Sequence, residues 1–110
     1  MTANTRLHHI ADLLLTIEQE MRCLGLWEET PPATEDLLST VPFCHDTLEF
    51  TQWLQWVFLQ RMRELLQMNA TLPAACEIHP LAEHTFLELP QDTRRLLELI
   101  AAIDKALSQT

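Results

Sequence analysis

The sequence predicts an all-α protein: a compact, single-domain helical bundle over residues 1–110, with three long helices and one or two short ones. Three observations predict it. Apolar residues recur at helical spacing in three long stretches. All six prolines fall between these stretches, where a residue lacking an N–H does no harm to a helix. The single glycine, Gly25, argues against tight hairpins, which usually need residues at positive φ, and removes every glycine-rich phosphate loop.

The first element spans about Asn4 to Leu24. Leu7, Ile10, Leu14, Ile17, Met21 and Leu24 are spaced 3, 4, 3, 4, 3, a heptad seam along one helix. Glu18 and Arg22 stand at i, i+4 and can pair. Gly25 suits the left-handed position that ends a helix. Three heptads are short for a free coiled coil, so the seam is read as packed inside the molecule. A connection comes next, WEETPPATEDLLSTVPF, with one helical turn around Thr34 to Leu38; Trp27 and Phe43 are expected to fold back over the bundle.

The second long helix is expected over about Thr47 to Met68, with Asp46 as N-cap and Glu49 as the third residue of a capping box. At 100° per residue, Phe50, Leu54, Val57, Phe58, Met62, Leu65 and Leu66 cover one broad side, while Trp53 and Trp56 fall toward the polar one. The turn from Trp53 to Leu59 is apolar nearly all round, so it must be covered on more than one face. After NATLPAACEIH, a short helix is expected from Pro80 to Leu87, with Pro80 as its first residue. A last helix is expected from about Gln91 to Ser108, burying Leu96, Leu99, Ile100, Ile103 and Leu107.

Net charge is −9, which opposes direct binding of nucleic acid, where Lys and Arg must displace phosphate counterions. The acid is concentrated: between Arg22 and Arg61 there is no Lys or Arg, while Glu28, Glu29, Glu35, Asp36, Asp46 and Glu49 lie there. Such a span is either a solvated surface or a patch for a basic partner. The N-terminal stretch lacks the apolar core of a signal peptide, and no stretch approaches the roughly 18 apolar residues of a membrane span. Cys23, Cys44 and Cys76 are odd in number and not closely paired. Together these features predict a cytoplasmic protein with reduced thiols and no membrane contact.

Cys44-His45-Asp46 contains the atoms of a nucleophilic centre, but adjacent residues rarely point at one another and Asp46 is assigned as a cap. Cys44, His45, Cys76 and His79 supply zinc-ligand atom types without the usual C-x-x-C spacing. No catalytic residue, metal site or cofactor is therefore expected. Trp53 and Trp56 are read as large core fillers or as partner anchors, with Trp53 expected to be the more buried.

The stretch PFCHDTLEFTQWLQWVFLQRM, with LLQMNATLP after it, resembles the YqcC-like family of small bacterial proteins. The likeness rests on Pro42-Phe43, Asp46-Thr47, Trp53-Leu54-Gln55-Trp56-Val57, Arg61-Met62 and Leu72-Pro73; Cys44 and His45 are not part of it. The resemblance implies a compact helical bundle with no assigned activity and an association by gene neighbourhood with a tRNA pseudouridine synthase. That enzyme is a much larger mixed α/β protein, so its activity is not expected of this chain.

The reading from sequence is a non-catalytic module that binds another protein, with Trp56, Trp53, Glu28, Glu29, Glu35 and Asp36 as candidate contacts. The alternatives are a non-catalytic accessory factor to a tRNA-modification enzyme and a small-molecule carrier. Exposed Trp56 beside acid favours the first. Convergence of Arg61, Arg63, Arg94 and Arg95 into a basic stripe favours a link to RNA, and a closed cavity lined by Trp favours the carrier.

Overall fold

The heptad seam becomes helix α1, Thr2–Cys23, in a computed structural model that describes residues 2–74 and 76–108. Ile10, Leu14, Ile17 and Met21 are buried, as the 3, 4 spacing requires. Gly25, at φ 75°, ends the helix: Leu26 N–H donates to Met21 C=O at 2.9 Å and Gly25 N–H to Arg22 C=O at 3.1 Å. These two bonds satisfy carbonyls that the helix end leaves without partners. The connection carries a single helical turn, α2, Thr34–Leu37, and a 3₁₀ turn, Pro42–Cys44.

The central rod covers residues 50–67. It opens as α3, Phe50–Trp53, becomes a π-helix over Leu54–Leu59, and closes as α4, Gln60–Gln67. Its start corrects the cap predicted from sequence. Glu49 is the N-cap, and its capping box closes with Gln52, whose side chain accepts the Glu49 N–H at 2.8 Å. Asp46 instead accepts a hydrogen bond from the Ser39 hydroxyl at 2.6 Å. The reason is the chain before the helix: Cys44 C=O already takes the N–H groups of Thr47 and Leu48, so the helical path begins three residues later. The rod ends on Asn69 at φ 52°, with Ala70 N–H donating to Leu65 C=O at 2.9 Å.

Helix α5 is Ile78–Phe86 and α6 is Arg94–Ser108. Pro80 is the third residue of α5, not the first as expected. The donors ahead of it are met from another helix: Asp104 of α6 accepts Ile78 N–H at 3.0 Å and His79 N–H at 2.7 Å. The proline itself has no N–H to satisfy, so the buried helix start is complete. Helix α6 begins at Arg94 rather than Gln91, where the Asp92 carboxylate accepts the Arg94 N–H at 3.2 Å.

Helices α1 and α6 pack antiparallel. Arg6 donates to Ala106 C=O and Leu107 C=O at 3.3 and 3.4 Å near the end of α6, and Gln91 donates to Leu24 C=O at 3.1 Å beyond the end of α1. Helix α5 lies against α6, and α4 against α1. Apart from Cys44 and Leu48, the buried apolar side chains of the described residues form one contiguous cluster drawn from α1, the central rod, α5 and α6, with Leu72 from the connection between the rod and α5. The radius of gyration is 13.8 Å, close to the ~13 Å expected of a compact 100-residue fold. Among the described residues there is no strand, and the fold is the all-α bundle with three long helices that the periodicity implies.

Candidate functional site

The π-helical stretch is where the sequence is apolar nearly all round, and there its helix is covered on several faces. Leu54, Gln55, Phe58 and Leu59 are buried, while Trp53, Trp56 and Val57 are half-buried. A π-helix bonds i to i+5 rather than i+4, so it takes in an extra residue and turns the next part of the rod out of the α-helical register. This is why the wheel drawn at 100° per residue omits Gln55 and Leu59 from the buried set. Single π turns inside α-helices are frequent at functional sites.

One side of this stretch is closed by the chain's own connection. Gln55 is 1% exposed, and both atoms of its amide are bonded: its Oε1 accepts the Glu28 N–H at 2.8 Å and its Nε2 donates to the Glu28 C=O at 2.8 Å. The Glu28 carboxylate accepts from Trp56 Nε1 at 3.2 Å and from Gln52 Nε2 at 3.4 Å. Three side chains of the rod thus clasp one residue of the connection. Trp56 and Glu28, both expected as candidate contacts, are half-buried and committed to each other. Sequence reasoning missed Gln55; the available signal was a lone amide inside an otherwise apolar turn, which must find partners once buried.

The other side of the rod carries a cleft of about 250 Å³. Phe43, Trp53, Val57, Met62 and Pro73 line it, with the Arg61 guanidinium as its one charged group among the described residues. Trp53 meets Phe43 edge-on at 4.8 Å between ring centres and stacks on Phe50 and Phe58 at 5.9 and 5.6 Å. These rings hold the indole by geometry that aromatic pairs favour. Phe43 and Cys44 adopt left-handed backbone, φ 60° and 50°, which costs a bulky residue roughly 1–3 kcal/mol. Turning through that conformation places the Phe43 ring against Trp53. Four of the five residue groups that carry the YqcC-like resemblance include a residue lining this cleft; Asp46-Thr47 is the exception.

The remaining candidates are dispersed. Glu29 and Glu35 are exposed; Asp36 is half-buried, and its backbone carbonyl accepts the Thr47 hydroxyl at 2.7 Å. Of the four arginines that would build a basic stripe, three are neutralised. Arg63 bonds Glu18, which also pairs with Arg22 at 2.9 Å; Arg94 pairs with Asp92 at 2.7 Å; Arg95 lies 3.6 Å from Glu20. Arg61 is exposed and pairs with no acid among the described residues.

Cys44 is buried, with its thiol 3.9 Å from the Ser39 carbonyl, and His45 is exposed. Burial first, and the Asp104 charge second, push the Cys76 thiol above its ordinary range, the opposite of what a nucleophile needs. Cys76 also borders a second, open cleft of about 510 Å³ with Glu77, Asp104 and Lys105. The Asp104 carboxylate there is already spent on α5. Among the described residues no group of three or more His, Cys, Asp or Glu is placed to hold a metal ion. Nor is any helix among them long and apolar enough to cross a membrane.

Comparison with known proteins places this geometry. Residues 9–106 match the model of the family DUF446, described as tRNA pseudouridine synthase C. An uncharacterised protein of Haemophilus influenzae is 38% identical over 98 residues, 89% of either chain. The uncharacterised protein YqcC of Escherichia coli is 34% identical over 92 residues, 84% of this chain and 82% of that one. A protein of Pectobacterium carotovorum named tRNA pseudouridine synthase C is 41% identical over 69 residues, which are 63% of this chain but 18% of that much longer one. The solution NMR structure of E. coli YqcC superposes with a TM-score of 0.82 at 28% identity, covering 96% of this chain and 90% of the other. The family match and the relatives span nearly the whole bundle, the central rod included, and the chain belongs to the DUF446 family as a YqcC-like member.

Proposed function

We propose that the protein is a non-catalytic binding module whose partner is a tRNA pseudouridine synthase. The observation that carries this reading is the Pectobacterium relative. There, sequence like this chain makes up 18% of a longer chain named tRNA pseudouridine synthase C, while the H. influenzae and E. coli relatives are matched over 89% and 82% of their length. Two units joined in one chain meet at high effective concentration, and a module that also exists apart must find the same partner by affinity.

The geometry supports binding without chemistry. Asp104 is used as a helix cap, Glu28 as a clasp, and Glu18 and Glu20 as ion-pair partners, and burial of the Cys76 thiol disfavours its thiolate. Direct grip on tRNA is disfavoured, because the charge is −9 and three of the four arginines in question are paired. The carrier reading asked for a closed cavity lined by Trp; the Trp53-lined cleft is open, at about 250 Å³, and the larger cleft has no Trp in its lining.

The test is to mix the purified chain with the tRNA pseudouridine synthase of its own source, with and without tRNA, and to measure complex formation by calorimetry. A complex is expected without tRNA. The chain alone should form no pseudouridine on unmodified tRNA. If no complex forms in either condition, the reading is wrong; if the chain alone modifies tRNA, its non-catalytic half is wrong.

A further inference from the structure

We propose that the cleft beside the π-helical stretch is an anchor pocket for a partner segment that presents one large apolar side chain with a carboxylate next to it in sequence. The proposal rests on the reading that this chain binds a protein, and it names the chemistry by which it would do so. The occupant is argued from size and from charge.

The size selects one side chain. The cleft holds about 250 Å³ and is walled by Phe43, Trp53, Val57, Met62 and Pro73. That is too little for most small-molecule ligands but suits a single aromatic or branched aliphatic group. Buried anchors of that kind carry most of the energy of protein interfaces. The walls are also set before binding. The indole of Trp53 already packs against Phe43, Phe50 and Phe58, so little ordering cost is left for it in the bound state.

The charge selects the neighbour. Among the described residues Arg61 is the one charged group lining the cleft, it is exposed, and it has no acidic partner. Arg22, Arg63, Arg94 and Arg95 all pair with acids of this chain. A chain of net charge −9 that leaves this arginine unpaired at an apolar mouth offers a carboxylate a local site amid general repulsion. Arginine meets a carboxylate through two parallel N–H···O bonds, which fix orientation as well as attract. At an exposed rim such a pair sets register and selectivity more than affinity.

The experiment is selection of a random peptide library displayed on phage against the intact protein, its Arg61→Glu and Arg61→Lys variants, and a cleft-filling Val57→Phe variant. Far-UV circular dichroism is used to check that each is folded. The wild type should enrich an aromatic or large aliphatic residue adjacent to Asp or Glu. Arg61→Lys should keep that preference. Arg61→Glu should bind the selected peptides roughly tenfold more weakly and enrich Lys or Arg in place of the acid. Val57→Phe, if folded, should lose the peptides whatever their charge; the two Arg61 variants decide the matter if it is not.

Enrichment of apolar residues without an acid, or selected peptides indifferent to Arg61→Glu, overturns the proposal. So does concentration-dependent self-association in the ultracentrifuge that the selected peptides abolish, since the occupant would then be a second copy. If the synthase binds the Arg61→Glu variant as tightly as the wild type, the partner reading stands and the anchor pocket falls. If peptides select as expected but no synthase complex forms, the pocket stands and the partner reading falls.

Discussion

Glu28 and Gln55 show how far one side chain can decide the local structure. A glutamine with 1% of its surface exposed carries a donor and an acceptor that both need partners. It finds them in the main chain of Glu28, at 2.8 Å each, and so pins the connection to the rod. Replacing Gln55 by Ala leaves the Glu28 N–H and C=O without those partners. We expect Gln55→Ala to lower stability by about 1–3 kcal/mol, read as a drop in the urea midpoint at unchanged slope. Trp56→Phe removes only the indole hydrogen bond to Glu28 Oε1 and retains most of the packing. It should cost about 0.5–1.5 kcal/mol. A Trp56→Phe loss larger than that of Gln55→Ala would mean that the indole, and not the amide, holds the connection.

At the scale of the element, the central rod tests how helix starts are chosen. Asp46 and Glu49 together read as a capping box from sequence, and the structure offers a second, Glu49 with Gln52. The second is used, with both reciprocal bonds present, because Asp46 is already engaged by Ser39 across the preceding turn. Glu49→Ala is expected to destabilise by about 0.5–2 kcal/mol through loss of the cap. Asp46 accepts an exposed hydrogen bond outside the helix, so Asp46→Ala should cost less. Thermal melts of the two variants compare them directly; the reverse order would return the helix start to residue 47.

Across the whole molecule, Glu18 ties α1 to α4. Burial pushes its carboxyl pKa up, but hydrogen bonds from Arg63 and Arg22, with their charges, outweigh burial and bring it below the ordinary value of 4.5. A carboxylate whose folded pKa is depressed stabilises the fold above its unfolded pKa, and that contribution is lost as pH falls through the folded one. Stability of the wild type should therefore fall below about pH 4.5, and Glu18→Gln should flatten that part of the curve while being less stable at neutral pH. Urea melts between pH 3 and 7 on the two proteins check it, and parallel curves would show that the pair carries no pH dependence.

Local sequence suffices for the helical class, the three long helices, the buried seam of α1 from Ile10 to Met21, and the stripe of α6 from Leu96 to Leu107. Those come from periodicity and from where proline and glycine are tolerated, which are properties of short stretches of chain. The family was legible as well, from the motifs around the central rod. The rest is settled by packing. Which of two overlapping capping boxes closes depends on Ser39, and which donors open α5 depends on Asp104, 25 residues away from His79. The register of the rod depends on a π-helix that a wheel drawn at fixed pitch does not contain. The cleft joins Phe43, Trp53, Arg61 and Pro73 from three stretches of chain, and Arg61 stands out there because Arg22, Arg63, Arg94 and Arg95 have found acids elsewhere in the fold and Arg6 bonds main-chain carbonyls of α6. Periodicity reports what a segment buries; which partner each polar group meets is set by the packing of segments distant in sequence.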